Sequence, residues 1–520
     1  MSSESAETDP SSSWGRVAQI GLLAGPLLAV LVYFALPHGD SLLSHAGKST
    51  AAIGTLMAVW WMTEAVPLEA TSLLPLVLLP LLGVYGIGKE GAFQKAATPY
   101  ANSSIFLFLG GFLIALAVER WGLHRRVALL TVLVVGTQPI RIVAGFMIAT
   151  AFLSLWISNT ATTLMMLPIG LSVVQLMQRQ LSQMGSLTEE DHAAAVTASR
   201  NFATCLMLGI AYAASIGGLG TLIGTPPNVY FAGFMRERGM PISFFRWMLF
   251  AVPFAAVYLG ICWWLLVGIL FPLRRAELRG GRALIADELR SLGRVSRGEW
   301  VVLVVFLITA VAWIAREPLS NLASVKQQLP WLGSVDDALI AMAGAIVLFL
   351  IPIDPARGVF ALDWSVARKL PWGVLLLFGG GLSLAAAMSD SGLAVWIGEQ
   401  MRGLDRVPVP VVIVAVTAGV ILFSELASNL ATAATLLPLL FEVARALEVD
   451  PLVLTVPAIV GASCGFMLPV ATPPNAIAFG SGYISVRQMM RAGFWLDLTA
   501  VVLVPIFVYL LGQWALGLRW

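Results

Sequence analysis

The chain has 520 residues, 58% of them apolar and 12% charged, with a formal net charge of +2. Soluble domains carry about 25% charged residues, so most of these helices must face something other than water, and a near-neutral chain has no electrostatic footprint for nucleic acid. Cys205, Cys262 and Cys464 are scattered through apolar stretches, and His38, His45, His124 and His192 form no cluster, so metal-ligand spacing is absent and no cofactor is expected.

Residues 1–16 read as a disordered cytosolic tail: Met1–Ser13 is Ser-rich and acidic, without the basic start and small-residue cleavage site of a signal peptide. Crossing the hydrocarbon takes about 20 apolar residues. Candidate spans in the first part of the chain are Ile20–Leu36, Ala51–Ala65, Ser72–Val84, Val127–Leu155, Ala203–Leu222, Trp247–Leu270 and Trp300–Ile314. Ala338–Ile353, Val409–Phe423, Leu452–Val470 and Phe494–Leu516 follow. Two further runs, Ile105–Ala117 and Val374–Met388, are Gly-rich and followed by a polar turn and another apolar stretch, and read as re-entrant hairpins, which membranes tolerate only inside protein. The expected fold is therefore an all-α polytopic membrane protein, with about 11 transmembrane helices plus two hairpins. The arginine-rich segment 274–298 is a cytoplasmic linker by its excess of positive charge. It separates a first half, 17–273, from a second, 299–520.

The halves repeat. Gly110-Gly111 and Gly122-Leu123 recur as Gly380-Gly381 and Gly392-Leu393, 380 − 110 = 270 positions on. Ser158-Asn159, Ala161-Thr162 and Leu167-Pro168 recur at the same offset as Ser428-Asn429, Ala431-Thr432 and Leu437-Pro438. Gly224-Thr225-Pro226-Pro227-Asn228 recurs as Ala471-Thr472-Pro473-Pro474-Asn475, at 471 − 224 = 247. An ordered internal duplication with interrupted helices at matching places marks a secondary transporter.

Ser154-Leu-Trp-Ile-Ser158-Asn159-Thr160 interrupts an apolar run, and Ser424-Glu-Leu-Ala427-Ser428-Asn429 does the same in the second half. Ser and Asn compete for backbone hydrogen bonds and favour helix ends. A break leaves free carbonyls on one side, suited to a cation, and free N–H groups on the other, suited to an anion. The plainer alternative is that these residues only join helices by hydrogen bonds. Each Pro-Pro pair forbids continuous helix and leaves upstream carbonyls for an ion, a water or another side chain to satisfy. Glu425 admits two readings, a structural hydrogen bond to the neighbouring broken helix or a direct cation or proton role. Gly461-Ala-Ser463-Cys-Gly465 matches a nucleophile elbow, but no strand or histidine accompanies it, and no enzymatic activity is expected.

These motifs resemble the divalent anion/sodium symporters (DASS, INDY-like): Ser158-Asn159-Thr160 with Thr225-Pro226, Ser428-Asn429 with Thr472-Pro473, and Trp60-Trp61-Met-Thr-Glu64-Ala-Val-Pro67. The resemblance implies a homodimeric elevator-type transporter in the bacterial inner membrane, importing succinate, malate or fumarate with sodium. A sodium-independent di- or tricarboxylate exchanger and a sulfate carrier are the nearest alternatives, and a cation antiporter or channel a more distant one. It implies a first sodium at Ser154, Ser158, Asn159 and Gly224, and a second at Ser424, Ala427, Asn429 and Ala471. The dianion would meet Ser158, Asn159, Thr160, Thr225, Pro226, Ser428, Asn429, Thr472 and Pro473. One position departs from the family pattern: Leu430 stands where the second motif usually has Thr or another small residue, which removes a hydroxyl.

Overall fold

The computed structural model describes residues 16–37, 43–86, 88–136, 138–183, 189–273, 281–400 and 407–519. The expected N-terminal tail, apart from Arg16, lies outside them, as does 274–280 of the basic linker. Apart from a short antiparallel ribbon, Pro352–Asp354 with Val359–Phe360, regular structure among the described residues is helical. Eight of these helices are long and apolar enough to cross a membrane. On the first, Arg16–Ala35, Leu27 and Phe34 are 70% and 76% exposed, an apolar face that suits lipid and not water.

Two sequence expectations need correction. The runs expected as short hairpins are single helices, Ser103–Arg120 and Trp372–Asp390, of 18 and 19 residues, and both lie within the eight. Their polar ends, Glu119-Arg120 and Ser389-Asp390, belong to the helices and had made the apolar runs look shorter. The glycines serve close crossing. A Cβ on Gly110 would lie 2.6 Å from the backbone carbon of Ala341, and one on Gly380 would lie 2.8 Å from Ser72 Cα. Gly122 and Gly392, at φ 71° and 77°, end these helices in the left-handed conformation that favours glycine. The expected span Val127–Leu155 is two helices, Leu123–Val135 and Pro139–Ser154, parted at Gly136 (φ 116°) and restarted by a proline at the first helical position.

Packing divides the chain into two compact units, Met1–Tyr100 with Leu376–Trp396, and Ala101–Leu375 with Ile397–Trp520. In the first, Arg16–Ala35 pairs with His45–Thr63, and Ser383 Oγ donates to Ala96 O at 2.8 Å. The second holds both Ser-Asn breaks and both Thr-Pro-Pro-Asn segments. Within it, the described part of the linker forms a helix, Gly281–Ser291, beside Leu123–Val135. Arg125 pairs with Glu288, and Arg126 Nε lies 2.7 Å from Glu299 Oε1. Glu299 also completes a capping box with Ser296 at the start of helix Arg297–Asn321.

Candidate functional site

Each Ser-Asn motif is a helix break. In the first half, Pro139–Ser154 ends, residues 155–158 turn, and Asn159–Gln183 begins, with Ser158 Oγ accepting Ala161 N–H at 3.2 Å as its cap. In the second half, Val409–Ser424 ends and Asn429–Ala446 begins. The first arms have 16 residues each. At about 1.5 Å per residue such a helix is roughly 24 Å long, short of the roughly 30 Å hydrocarbon. Both arms of the first break lie along Glu189–Gly218, and both arms of the second along Leu452–Ala462.

The first break gathers oxygens. Ser154, fully buried, donates from Oγ to Ala214 O at 2.7 Å. One end of the Asn159 amide lies 2.6 Å from Ser154 Oγ, 3.1 Å from Ala214 O and 3.3 Å from Gly224 O. The amide admits two orientations, of which only the first is satisfied by protein groups alone. With Nδ2 at that end, Asn159 donates to the oxygens and locks the break. With Oδ1 there, four oxygens converge, the ligand set an unwound backbone offers a hard cation. Gly218 makes the room, since a Cβ there would run into the Asn159 amide.

The Thr-Pro-Pro-Asn segments start helices. Thr225 and Thr472 are extended, at φ −142° and ψ 142° and 149°, and precede Pro226–Glu237 and Pro473–Gly480. The prolines occupy the first two helical positions, where a missing N–H costs little. The upstream carbonyls find an asparagine. Asn228 Nδ2 donates to Thr221 O, Leu219 O and Gly218 O at 2.8, 3.1 and 3.4 Å. Asn475 Nδ2 donates to Leu468 O and Gly465 O at 3.1 and 3.3 Å. The pairs correspond at the same offset: 465 − 218 and 468 − 221 both equal 247.

At the second break Ser424 Oγ donates to Ala462 O at 2.6 Å and lies 3.0 Å from Asn429 Oδ1. Beside them, a Cβ on Gly465 would meet Ala471 Cβ at 3.3 Å and Ser424 O at 3.5 Å. Ala427 is buried in the turn. The halves differ in how the turn is tied down. In the first, Thr221 Oγ1 donates to Leu155 O and accepts Gly224 N–H at 3.0 Å. In the second, Leu468 takes the threonine's place and Glu425 that of Leu155. The Glu425 carboxylate accepts Met467 N–H at 2.8 Å and Leu468 N–H at 2.9 Å, the structural hydrogen bond of the two sequence readings.

Of the residues singled out from the sequence, Ser154, Asn159 and Gly224 meet at the first break, and Ser424, Asn429 and Ala471 gather at the second. Ser158, Thr160 and Ser428 sit half-buried at the adjoining helix starts, Thr225 and Thr472 are buried, Pro226 is half-buried and Pro473 exposed. Ala214 and Ala462 were missed because they act through the backbone. The halves also interlock. Pro226–Glu237 packs on Asn429–Ala446, with Tyr230 Oη donating to Ala434 O at 3.5 Å, and Pro473–Gly480 packs on Asn159–Gln183.

A polytopic helical chain with two short broken helices, each closed by backbone carbonyls and a serine–asparagine pair, has the build of a membrane carrier. The chain belongs to the family described as sodium:sulfate symporter transmembrane region, which it matches over residues 18–518. It is 43% identical to a protein named sodium-dependent dicarboxylate transporter from Staphylococcus saprophyticus, over 96% of this chain and 92% of that one. It is 42% identical to a Staphylococcus aureus protein of the same name, over the same shares. Two solved structures share the fold alone. The Alcanivorax borkumensis YdaH transporter is 15% identical, with a TM-score of 0.53 over 89% of this chain and 99% of that one. The Neisseria gonorrhoeae efflux pump MtrF is 12% identical, with a TM-score of 0.54 over 88% and 98%.

Proposed function

We propose that the chain is a secondary carrier, not an enzyme, that imports small divalent carboxylates such as succinate, malate and fumarate with sodium as the coupling ion. The observation that carries this reading is the duplicated oxygen cluster at Asn159 and Asn429, and the names of the staphylococcal relatives support it. Ser154, Asn159, Gly224 and the Ala214 carbonyl hold one sodium, with Ser158 beside them. Ser424, Asn429, Ala427, Ala471 and the Ala462 carbonyl hold the other. The dianion lies against the helix starts at Ser158, Asn159, Thr160, Thr225, Pro226, Ser428, Asn429, Thr472 and Pro473, where N–H dipoles favour negative charge. No Arg or Lys stands inside these motifs, so helix dipoles and bound cations balance the substrate. Moving one charge across roughly 100 mV costs about 2.3 kcal/mol, and a dianion about twice that. Two sodium ions neutralise it, so with them the membrane potential does not oppose import and the sodium gradient can drive it; a third cation would let the potential help.

Labelled succinate uptake into proteoliposomes tests the reading. An inward sodium gradient should drive accumulation that potassium does not, with malate and fumarate competing. Sodium-independent exchange, or competition by sulfate alone, would favour the alternatives; cation flux without succinate would point to an antiporter or channel.

The two halves, 17–273 and 299–520, form an inverted repeat whose re-entrant hairpins are the two broken pairs, in a homodimer working as an elevator in the bacterial inner membrane. The cross-packing of the halves and the two 16-residue arms support it. Single cysteines at Gln138 and Val407, in a background lacking Cys205, Cys262 and Cys464, should label from opposite faces with an impermeant reagent. Labelling from one face would mean a parallel duplication.

Leu430 is buried at the position matching Thr160. Leu430→Thr is expected to lower the half-saturating succinate concentration by about fivefold, the worth of one hydrogen bond of roughly 1 kcal/mol. Unchanged values for succinate, citrate and sulfate would mean that this position does not face substrate.

A further inference from the structure

The described helices of the second unit fall into two groups by packing. Those near the motifs hold one another: Pro226–Glu237 lies on Asn429–Ala446 and Leu452–Ala462, and Phe244–Trp264 lies on Glu189–Gly218. Ser103–Arg120, Arg297–Asn321 and Asp337–Leu350 carry no Ser-Asn break or Thr-Pro-Pro-Asn segment and pack together as a frame. At the ends of the frame helices away from the linker, polar side chains join the groups. There the connection between Pro226–Glu237 and Phe244–Trp264 is held on both sides. On one side, Arg236 Nη1 lies 3.0 Å from Asp336 Oδ2 and donates to Ser103 Oγ, while Asn102 Nδ2 donates to Glu237 Oε1 at 3.0 Å. On the other, Asp337 Oδ2 accepts Phe244 N–H at 2.9 Å, and its Oδ1 lies 3.0 Å from Arg316 Nε. Arg246 Nε lies 2.6 Å from Glu317 Oε1, to which Ser243 Oγ also donates through Oε2. The contact reaches the first break, because the Phe244 ring stacks on Trp313 of the frame at 4.6 Å and on Trp156, in the turn of the break, at 6.1 Å.

Two of the frame residues are helix caps that keep one polar atom for the other group. Asn102 Oδ1 accepts Ser104 N–H at 2.9 Å and leaves Nδ2 for Glu237; Asp336 Oδ1 accepts Leu339 N–H at 2.8 Å and leaves Oδ2 for Arg236. The next residue along, Arg238, turns the other way and sets its guanidinium 4.9 Å from the centre of the Phe441 ring on Asn429–Ala446. Arg236 and Asp336 stay 35% and 37% exposed, and ion pairs so open to water hold weakly, as a contact that is made and broken must. We propose that these pairs form a releasable clasp, which holds the motif-bearing helices against the frame in this conformation and opens in each transport cycle. Opening draws Phe244 away from Trp313 and so changes the packing behind the Trp156 turn. That the clasp opens during transport rests on the carrier reading; that the charges hold the contact does not.

Two close approaches beside the clasp allow a direct test. A Cβ on Gly233 would lie 3.2 Å from Ser104 Cβ, and one on Gly111 would lie 3.4 Å from Ile223 Cβ, near the roughly 3.5–4.5 Å between Cβ atoms in a disulfide. In a background lacking Cys205, Cys262 and Cys464, Gly233→Cys with Ser104→Cys should oxidise to a disulfide. In proteoliposomes that disulfide should cut labelled succinate uptake at least about tenfold, with return on reduction, because the conformational step is blocked. Oxidised protein that carries succinate at its reduced rate would overturn the opening. If this pair does not fold, Gly111→Cys with Ile223→Cys makes the same test. The second arm follows the rate of disulfide formation in the full-length protein in detergent, without substrate. Adding Arg236→Glu should slow it about threefold, the contribution of an exposed ion pair. Adding Asp336→Arg as well should bring the rate back within about twofold of the parent, the signature of a direct pair. Equal rates in all three, or a charge-swapped protein as slow as Arg236→Glu alone, would overturn the clasp. A wild type that carries no succinate would defeat the proposed function and leave the disulfide rates to decide whether the charges hold the contact.

Discussion

Asn159→Ala is expected to raise the sodium concentration for half-maximal succinate uptake by at least about tenfold, a loss of roughly 1.4 kcal/mol. The Asn159 amide meets both Ala214 O and Gly224 O, from two separate segments, while touching Ser154 Oγ. In the proposed site its Oδ1 is one of the four oxygens around the sodium, and its loss leaves three. A hydrogen bond or ligand contact to a charged group contributes about 1.5–3 kcal/mol, enough for the tenfold change. Uptake measured over a sodium series at fixed succinate checks this, with a thermal melt of the purified variant to show that it folds. Wild-type sodium dependence in a folded Asn159→Ala would mean that the first ion lies elsewhere.

The largest expected loss of stability is at Asn228. Its amide nitrogen serves three carbonyls, Gly218, Leu219 and Thr221, where helix Glu189–Gly218 gives way to Pro226–Glu237. Asn228→Leu keeps the volume and removes the donor. Leu219 O keeps a second donor, Trp247 Nε1 at 3.0 Å, so the other two carbonyls carry the loss. Each unsatisfied buried group costs about 1–3 kcal/mol, which places the total near 3 kcal/mol or above and lowers the melting temperature in detergent. Asn475→Leu removes a donor from two carbonyls, Gly465 and Leu468, and should also destabilise. Melting temperatures unchanged in both would show that water or other groups satisfy these carbonyls without the asparagines.

Much of this arrangement could be read in the chain. The breaks fall at Ser154–Asn159 and Ser424–Asn429 because serine and asparagine prefer helix ends, and the repeated Thr-Pro-Pro-Asn located the other helix starts. What stayed hidden was carried by the backbone or by distant pairing. The carbonyls of Ala214 and Ala462 belong to residues with no polar side chain. Glycine misled, because Gly110 and Gly380 allow close helix crossings and not reversals of the chain. The role of each Thr-Pro-Pro-Asn asparagine as a carbonyl clamp depends on the turn before it, residues 219–225 in the first half.

The coupling itself is open to one direct measurement. Proteoliposomes are prepared with equal sodium inside and out, an inward succinate gradient is imposed, and entry of radiolabelled sodium is followed alongside that of labelled succinate. The proposed carrier draws sodium inward with the dicarboxylate, and the sodium entry disappears when succinate is omitted. Succinate entry with no accompanying sodium would contradict the assignment of the two helix breaks as coupling-ion sites.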